Sequence, residues 1–486
     1  MINVPSVQTY FAQTIANQFN KEYGTEVQIK TAELNYSGNI NLNNLLIKDH
    51  KNDTLIYFNS LYLSPISLKK MMSNNFNFQS IVFSGLKLNI FKYFSEDKSN
   101  LEIFINKLTT EKNQTDIKFD LNFIIQDISG LNSNIVFKDF NTFENNFNFS
   151  DLNFDFSAVS LFKNKIEFDI NDISFKNNNG YDLKRFSSRV SFNENNLNLK
   201  NLVLNYGNSN LKGDLFFDLS RINISSLTKT ETIDSIYVDF KFDNSDIFPS
   251  DFHSFYNKID KNYSKSWSFK SDIRGFANDL YVENTVFSNY DNLIKFDSKL
   301  SNIFNKEKEY LLDFNFKNIN TSSQTLLSIV PEFFGTIIPS SIKNLGKFKF
   351  NGSIIVNTNE INSKFNLSLK KGIVNGALSI SELSNIDNAI YSGYIKGKDI
   401  DVSRFINFKA IGYSNFEFEI SGRGFTSEFL NSTVTGKIDQ ISFNNLILNE
   451  LDVFGQVKDQ VFDGKFTLND PNLNLDFTGL INFSND

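Results

Sequence analysis

Apolar and polar residues alternate with a period of two along this chain, from about Val27 to its end. Phe416, Phe418 and Ile420 alternate with Asn415, Glu417 and Glu419, Leu197 and Leu199 flank Asn198, and Leu473, Leu475 and Phe477 flank Asn474 and Asp476. Successive side chains of a strand point to opposite faces, so each run predicts a strand with one apolar face and one wet face. Parallel α/β sheets, covered on both sides, read instead as continuous apolar runs. The expected fold class is therefore mainly β: an elongated, curled, largely antiparallel sheet forming an apolar groove, with a few short helices.

Between the runs lie Asn177-Asn178-Asn179-Gly180, Asn193-Glu194-Asn195-Asn196 and Asp463-Gly464, clusters that predict turns because Asn, Asp and Gly tolerate left-handed backbone. A strand and a turn every ten to fifteen residues would give roughly 30 to 35 strands. Helical spacing is rare. Pro5 suits a first helical turn, and Val7, Phe11, Ile15 and Phe19 follow at intervals of four until Gly24, which predicts an amphipathic helix over residues 1–23. Residues 24–486 then read as one continuous repetitive β-groove with helical interruptions near 250–259 and 324–345, the second carrying Leu326, Leu327, Ile329, Val330, Phe333 and Phe334 before Pro339.

Composition narrows the function classes. The chain has 486 residues and 54 Phe, enough apolar side chain to bury, which sets it apart from disordered sequences. A net charge of −7 without a block of Lys and Arg argues against nucleic-acid binding. With no cysteine, there are no disulfides, thiolate metal sites or cysteine nucleophiles. The stretch from Thr321 to Ile342 is broken by Pro331, Glu332 and Pro339 and falls short of a bilayer span, and Met1-Ile2-Asn3-Val4-Pro5 is not a secretory signal.

Catalytic constellations are not found either. His50 and His253 stand alone in the sequence, so neither predicts a metal site, and no cofactor is expected. Gly422-Arg423-Gly424 lacks the third glycine of a dinucleotide loop and reads as a turn. The carboxylate pairs Asp399/Asp401 and Asp151/Asp155 fit the wet face of a strand better than acid–base chemistry. The chain is expected not to be an enzyme, and the chemistry left to explain is the apolar face, closed as a core or open to an apolar ligand.

Four segments of the first sixty residues resemble the amino-terminal region of the TamB translocation/assembly module family, in its Bacteroidetes-type form. They are Val4-Pro5-Ser6-Val7-Gln8-Thr9, Gly24-Thr25-Glu26-Val27-Gln28-Ile29, Leu45-Leu46-Ile47-Lys48-Asp49 and Asp53-Thr54-Leu55-Ile56-Tyr57. Leu326 to Gly352, and Asp463-Gly464-Lys465-Phe466 with Asp470-Pro471-Asn472-Leu473, are similar to the wider AsmA-like group. The resemblance implies a Gram-negative periplasmic protein anchored in the inner membrane, with a β-groove passing phospholipid between inner and outer membrane, a role in outer-membrane biogenesis and an outer-membrane barrel partner. It also implies an apolar anchor ahead of Met1 and a further carboxy-terminal domain, so this chain is expected to be a fragment or to start from a misplaced start codon. On that reading phospholipid acyl chains are the ligand. The candidate groove lining is Leu197, Leu199, Phe416, Phe418, Ile420, Phe466, Leu468, Leu473, Leu475 and Phe477, and Val7, Phe11, Ile15 and Phe19 mark the membrane-proximal helix. The alternatives are a structural or adhesive β-repeat protein with a closed core and a carbohydrate-acting β-helix enzyme.

Overall fold

In a computed structural model the apolar and polar alternation becomes strands throughout, and the protein is mainly β and largely antiparallel. The structure describes residues 4–67, 77–109, 123–141, 146–162, 164–177, 182–221, 234–304, 308–329, 331, 340–383, 387–405, 410–425, 429–471 and 473–482. The chain divides into two compact units, residues 1–221 and 222–486.

The first unit opens with helix α1 (Pro5–Tyr23), which Gly24 ends in the left-handed conformation at φ 61°. Strands β1 (Glu26–Leu34), β2 (Ile40–Lys48) and β3 (Thr54–Pro65) then pair as an antiparallel meander. Next to β3 lies a broken strand made of β4 (Phe78–Ser84) and β5 (Lys87–Lys92), both antiparallel to it. Strand β6 (Phe123–Asp139) runs parallel to both pieces, the one parallel join among the described pairings. From β6 the meander resumes through β7 (Phe147–Phe162), β8 (Lys165–Asn177), β9 (Leu183–Phe192), β10 (Asn196–Tyr206) and β11 (Ser209–Asp218).

Helix α2 (Asn100–Thr109) lies between β5 and β6. Its Ser99 and Glu102 form a reciprocal capping box: the Ser99 backbone N–H donates to the Glu102 carboxylate at 2.6 Å, and the Glu102 N–H donates to Ser99 Oγ at 3.2 Å. A polar knot holds its first turn. Asn100, 1% exposed, donates to Asp49 Oδ2 at 2.8 Å, and the Tyr93 hydroxyl donates to Asp49 at 2.7 Å and to Asp53 at 2.8 Å. Burial raises the Asp49 pKa. The hydrogen bonds from Asn100, Tyr93 and the Lys51 and Asp53 backbone outweigh it and hold the pKa below the usual aspartate value. Burial, followed by the two carboxylates it faces, pushes the Tyr93 phenol well up.

In the second unit β12 (Tyr237–Ile247), β13 (Trp267–Phe276), β14 (Asp279–Ser288), β15 (Leu293–Ser301) and β16 (Leu311–Ser322) pair in chain order. The order continues through β17 (Lys347–Asn357), β18 (Glu360–Leu369), β19 (Ile373–Ser381), β20 (Ile390–Asp401) and β21 (Ile411–Arg423). It ends with β22 (Asn431–Phe443), β23 (Leu446–Lys458), β24 (Val461–Asp470) and β25 (Leu473–Asn482). Helix α3 (Ser323–Ile329) and a 3-10 turn at Ser340–Leu345 fall in the segment read as helical, while Val330, Phe333, Phe334 and Pro339 lie outside the described residues. Near 250–259 the expected helix is only one 3-10 turn, Pro249–Phe252.

The described residues hold 25 strands, fewer than the spacing suggests. The strands are longer, reaching 17 residues in β6, because several polar pairs that look like turns are β-bulges inside a strand. Asn44, Asn132, Asn201, Asn244, Asn284 and Asp399 each sit at positive φ. In each case the next residue, Leu45, Ser133, Leu202, Ser245, Thr285 or Ile400, is buried. The extra residue flips the face, so the apolar series continues from odd to even positions: Leu197 and Leu199, then Leu202 and Leu204. A side-chain carbonyl or carboxylate on the neighbouring strand often accepts the bulge N–H, as Asp214 does for Asn201 and Asp297 for Asn284, both at 2.9 Å. Bulges bend and twist their strands, which curls the sheets. Asp463-Gly464, read as a turn, instead lies within β24 opposite Gly455 and Gly479, and the turn is made by Asp459 and Gln460 at positive φ. Gly424, by contrast, does turn the chain after β21, at φ 74°.

Candidate apolar binding surfaces

Two apolar surfaces, one in each unit, are the candidate sites. In the first unit β1 pairs with β2 along one side only, so its other edge needs partners for its backbone groups. Helix α1 supplies them with side chains. Gln8 takes both the N–H and the carbonyl of Leu34, each at 2.9 Å. Thr9 Oγ1 does the same for Ala32 at 3.0 and 3.2 Å, and Asn20 for Val27 at 2.7 and 2.9 Å. Gln13 adds a bond to the Ile29 carbonyl at 2.9 Å.

Because this polar face of α1 grips the strand edge, the apolar stripe beside it is not pressed onto the sheet. Phe11 and Ile15 are 56% and 68% exposed, and Val7 and Phe19 are half-buried. Phe11, Ile15 and Phe19 line a cavity of about 790 Å³ whose far wall includes Val27, Ile29 and Leu42. Gln8 and Glu33 are the polar residues among its lining, and Val7 is not part of it. The volume lies in the range that holds a small apolar molecule or an acyl chain. Phe104 of α2 closes one side. Leu197 and Leu199, also in this unit, sit on the apolar face of β10, opposite Phe192 and Val190 of β9 and Phe217 and Leu215 of β11, and are half-buried.

In the second unit the register gathers the remaining candidates on one face. One row across the strands is Phe416, Ile438, Leu451, Leu468 and Leu475, and the next is Phe418, Gly436, Val453, Phe466 and Phe477. Ile420 begins a third row with Val434 and Gly455. Leu473 ends the face opposite Asp470, whose carboxylate accepts from the Asn449 backbone and side chain at 2.9 Å. The Phe418 row extends to Ile395, Gly376, Phe365, Gly352 and Phe316, where large and minimal side chains take turns.

A Cβ on Gly436 would meet first the Glu417 backbone carbonyl and then the Phe418 ring at 2.8 Å, which explains why a residue poor at forming strands stands there. Phe466 and Phe477 stack with centroids 4.5 Å apart. Most of this lining is half-buried, Leu468 is buried, and Leu473 and Leu475 on β25 are 46% and 41% exposed. The other face is wet and ion-paired, with Lys396–Glu417 at 2.9 Å and Lys465–Asp476 at 3.5 Å. A sheet surface with charges on one side and rings on the other offers an apolar contact strip.

The isolated titratable residues have local partners. His50 Nε2 bonds the Glu96 carboxylate at 2.9 Å, His253 Nδ1 meets the Ile259 carbonyl at 2.6 Å, Asp151 pairs with Lys176 at 2.8 Å and Asp401 with Arg404 at 3.1 Å. Among the described residues, no group of three or more His, Asp or Glu is placed to hold a metal, and no helix is long and apolar enough to cross a membrane. No family model matches the sequence, and no curated protein or solved structure matches it either.

Proposed function

We propose that this chain is a periplasmic lipid-transfer protein that takes phospholipid acyl chains onto the apolar faces of its sheets, serving passage between inner and outer membrane and outer-membrane biogenesis. The observation that carries the proposal is the open apolar cavity of about 790 Å³ between α1 and the first strands. Each methylene moved from water into such a surface contributes about 0.8 kcal/mol. The half-buried rows around Phe418 and Phe466 fit the same role, since they leave a lining that a chain can still reach. The resemblance of the opening segments to the TamB family supplies the compartment, the inner-membrane anchor and the outer-membrane barrel partner of the proposal.

The reading is tested by mass spectrometry of lipids extracted from the 486-residue chain, expressed in a Gram-negative host and purified without detergent. Stoichiometric phospholipid is the expected result. A folded, β-rich preparation free of lipid would overturn the proposal and favour a closed structural array.

A further inference from the structure

At one end of the second unit's strands, the β18–β19 hairpin, the turn after β20 and the start of β21 enclose a pocket of about 230 Å³. Three cations line it, Lys370, Lys371 and Arg404, against one carboxylate, Asp401. This local excess of positive charge stands in a chain of net charge −7. The lysines are the two residues of a tight hairpin loop closed by the Leu369 N–H donating to the Gly372 carbonyl at 3.0 Å. Gly372, at φ 87°, packs the loop against the Asp399 carbonyl with no room for a Cβ, so the loop is fixed in place over the pocket.

Among the described residues neither lysine pairs with a carboxylate, whereas Lys396 and Lys437 on the wet face are paired with Glu417 and Asp439. Lys371 Nζ stands 5.2 Å from the Tyr413 ring centroid, which restrains it without neutralising it. Arg404 is steadied through Nε by Asp401, and its Nη groups make no hydrogen bond among the described residues. An unspent guanidinium edge in a pocket that two lysines also line offers charged donors suited to the oxygens of a phosphate group. Leu369 on the pocket wall pairs across the strands with Phe348, which is buried on the same face of β17 as Gly352 of the Phe418 row.

We propose that this pocket binds a phosphate group, either free or as the head of an amphiphile whose tail runs onto the apolar face. Only the second source rests on the lipid-transfer reading.

The test uses the full chain at low salt. Inorganic phosphate is titrated by calorimetry, and co-flotation is measured with vesicles of phosphatidylcholine alone and with added phosphatidylglycerol. The variants are K370A/K371A, its milder form K370Q/K371Q, and K396A/K437A as an equal charge loss elsewhere. Phosphate binding is expected to weaken about tenfold or more in both pocket variants and about twofold or less in the control. If the preference for phosphatidylglycerol falls in parallel, the phosphate belongs to a lipid. If phosphate binding alone falls, the pocket takes a free phosphate and the lipid source is discarded. Equal weakening in pocket and control variants, or no phosphate binding by the parent chain, overturns the proposal. Acyl-chain occupancy, followed separately by mass spectrometry, reports on the lipid-transfer reading whichever way the pocket behaves.

Discussion

The side-chain amide of Gln8 makes to Leu34 both hydrogen bonds that a neighbouring strand would make, donating to its carbonyl and accepting from its N–H at 2.9 Å each. With Thr9 on Ala32 and Asn20 on Val27, a helix covers the free edge of β1 without displacing the apolar stripe that lines the cavity. Removing one of these amides leaves a strand edge to water, at a cost of about 1 kcal/mol per lost bond. Gln8→Ala is therefore expected to lower stability by about 2 kcal/mol. Amide exchange at Leu34 should accelerate while Leu45, in β2 between β1 and β3, stays protected. Unchanged exchange at Leu34 would show that the helix does not cap this edge.

The bulge residues give a second prediction. Asn201 sits at φ 53° with its N–H held by Asp214 at 2.9 Å, and it turns Leu202 into the core. Left-handed backbone costs a β-branched residue more than Asn, by roughly 1–2 kcal/mol, and costs Gly nothing. Asn201→Val is expected to destabilise by about that amount and Asn201→Gly to be nearly neutral. Chemical denaturation of the two variants checks it, and equal midpoints would remove the strain argument.

The same residues explain how far the sequence could be read. Alternation around Phe416, Phe418 and Ile420 placed those side chains on one face because no bulge interrupts them, and the structure puts Phe466, Leu468, Leu475 and Phe477 in rows with them. The expected strand number exceeds the observed one because Asp463-Gly464, read as a turn, lies inside β24, and because bulges such as those at Lys200-Asn201 and Glu283-Asn284 lengthen strands; a polar residue followed by Asn between two apolar alternations of opposite phase marks a bulge. Ser99-Asn100-Leu101-Glu102 carried a capping-box signal for α2 that apolar spacing alone passes over. The strand-capping role of Gln8, Thr9 and Asn20 has no periodic signature, since polar residues on an amphipathic helix are ordinarily assigned to solvent. The cavity beneath the stripe follows from that contact and was equally hidden.

Acid should loosen the first unit at the polar knot. The hydrogen bonds to Asp49 hold its folded pKa below the value it has in the unfolded chain, so the stability it contributes is present above that unfolded value and is lost as pH falls through the folded one. The window therefore lies below about pH 4. Asn100→Leu removes the buried donor, at a cost of about 2–3 kcal/mol, and should shrink this acid dependence. Stability of parent and variant measured between pH 7 and pH 3 decides the matter, and parallel pH profiles would exclude Asp49 as the responsible group.

The final prediction separates an apolar conduit from a merely apolar surface. Phe418 lies over Gly436 and beside Ile395, in the middle of a row that continues to Phe466 and Phe477. Truncation to Ala opens space in the row and leaves it apolar, so acyl chains retain a path. A carboxylate at the same place must either be desolvated by the passing chain or drag water into the row, at a cost of several kcal/mol. Phe418→Asp is thus expected to reduce co-purifying phospholipid strongly and Phe418→Ala only mildly. Glu419→Ala, on the wet face of the same strand, should have no effect. Because the Asp variant also disturbs packing, circular dichroism and the denaturation midpoint accompany each lipid measurement. Equal occupancy in folded Asp and Ala variants would place the lipid path away from this row.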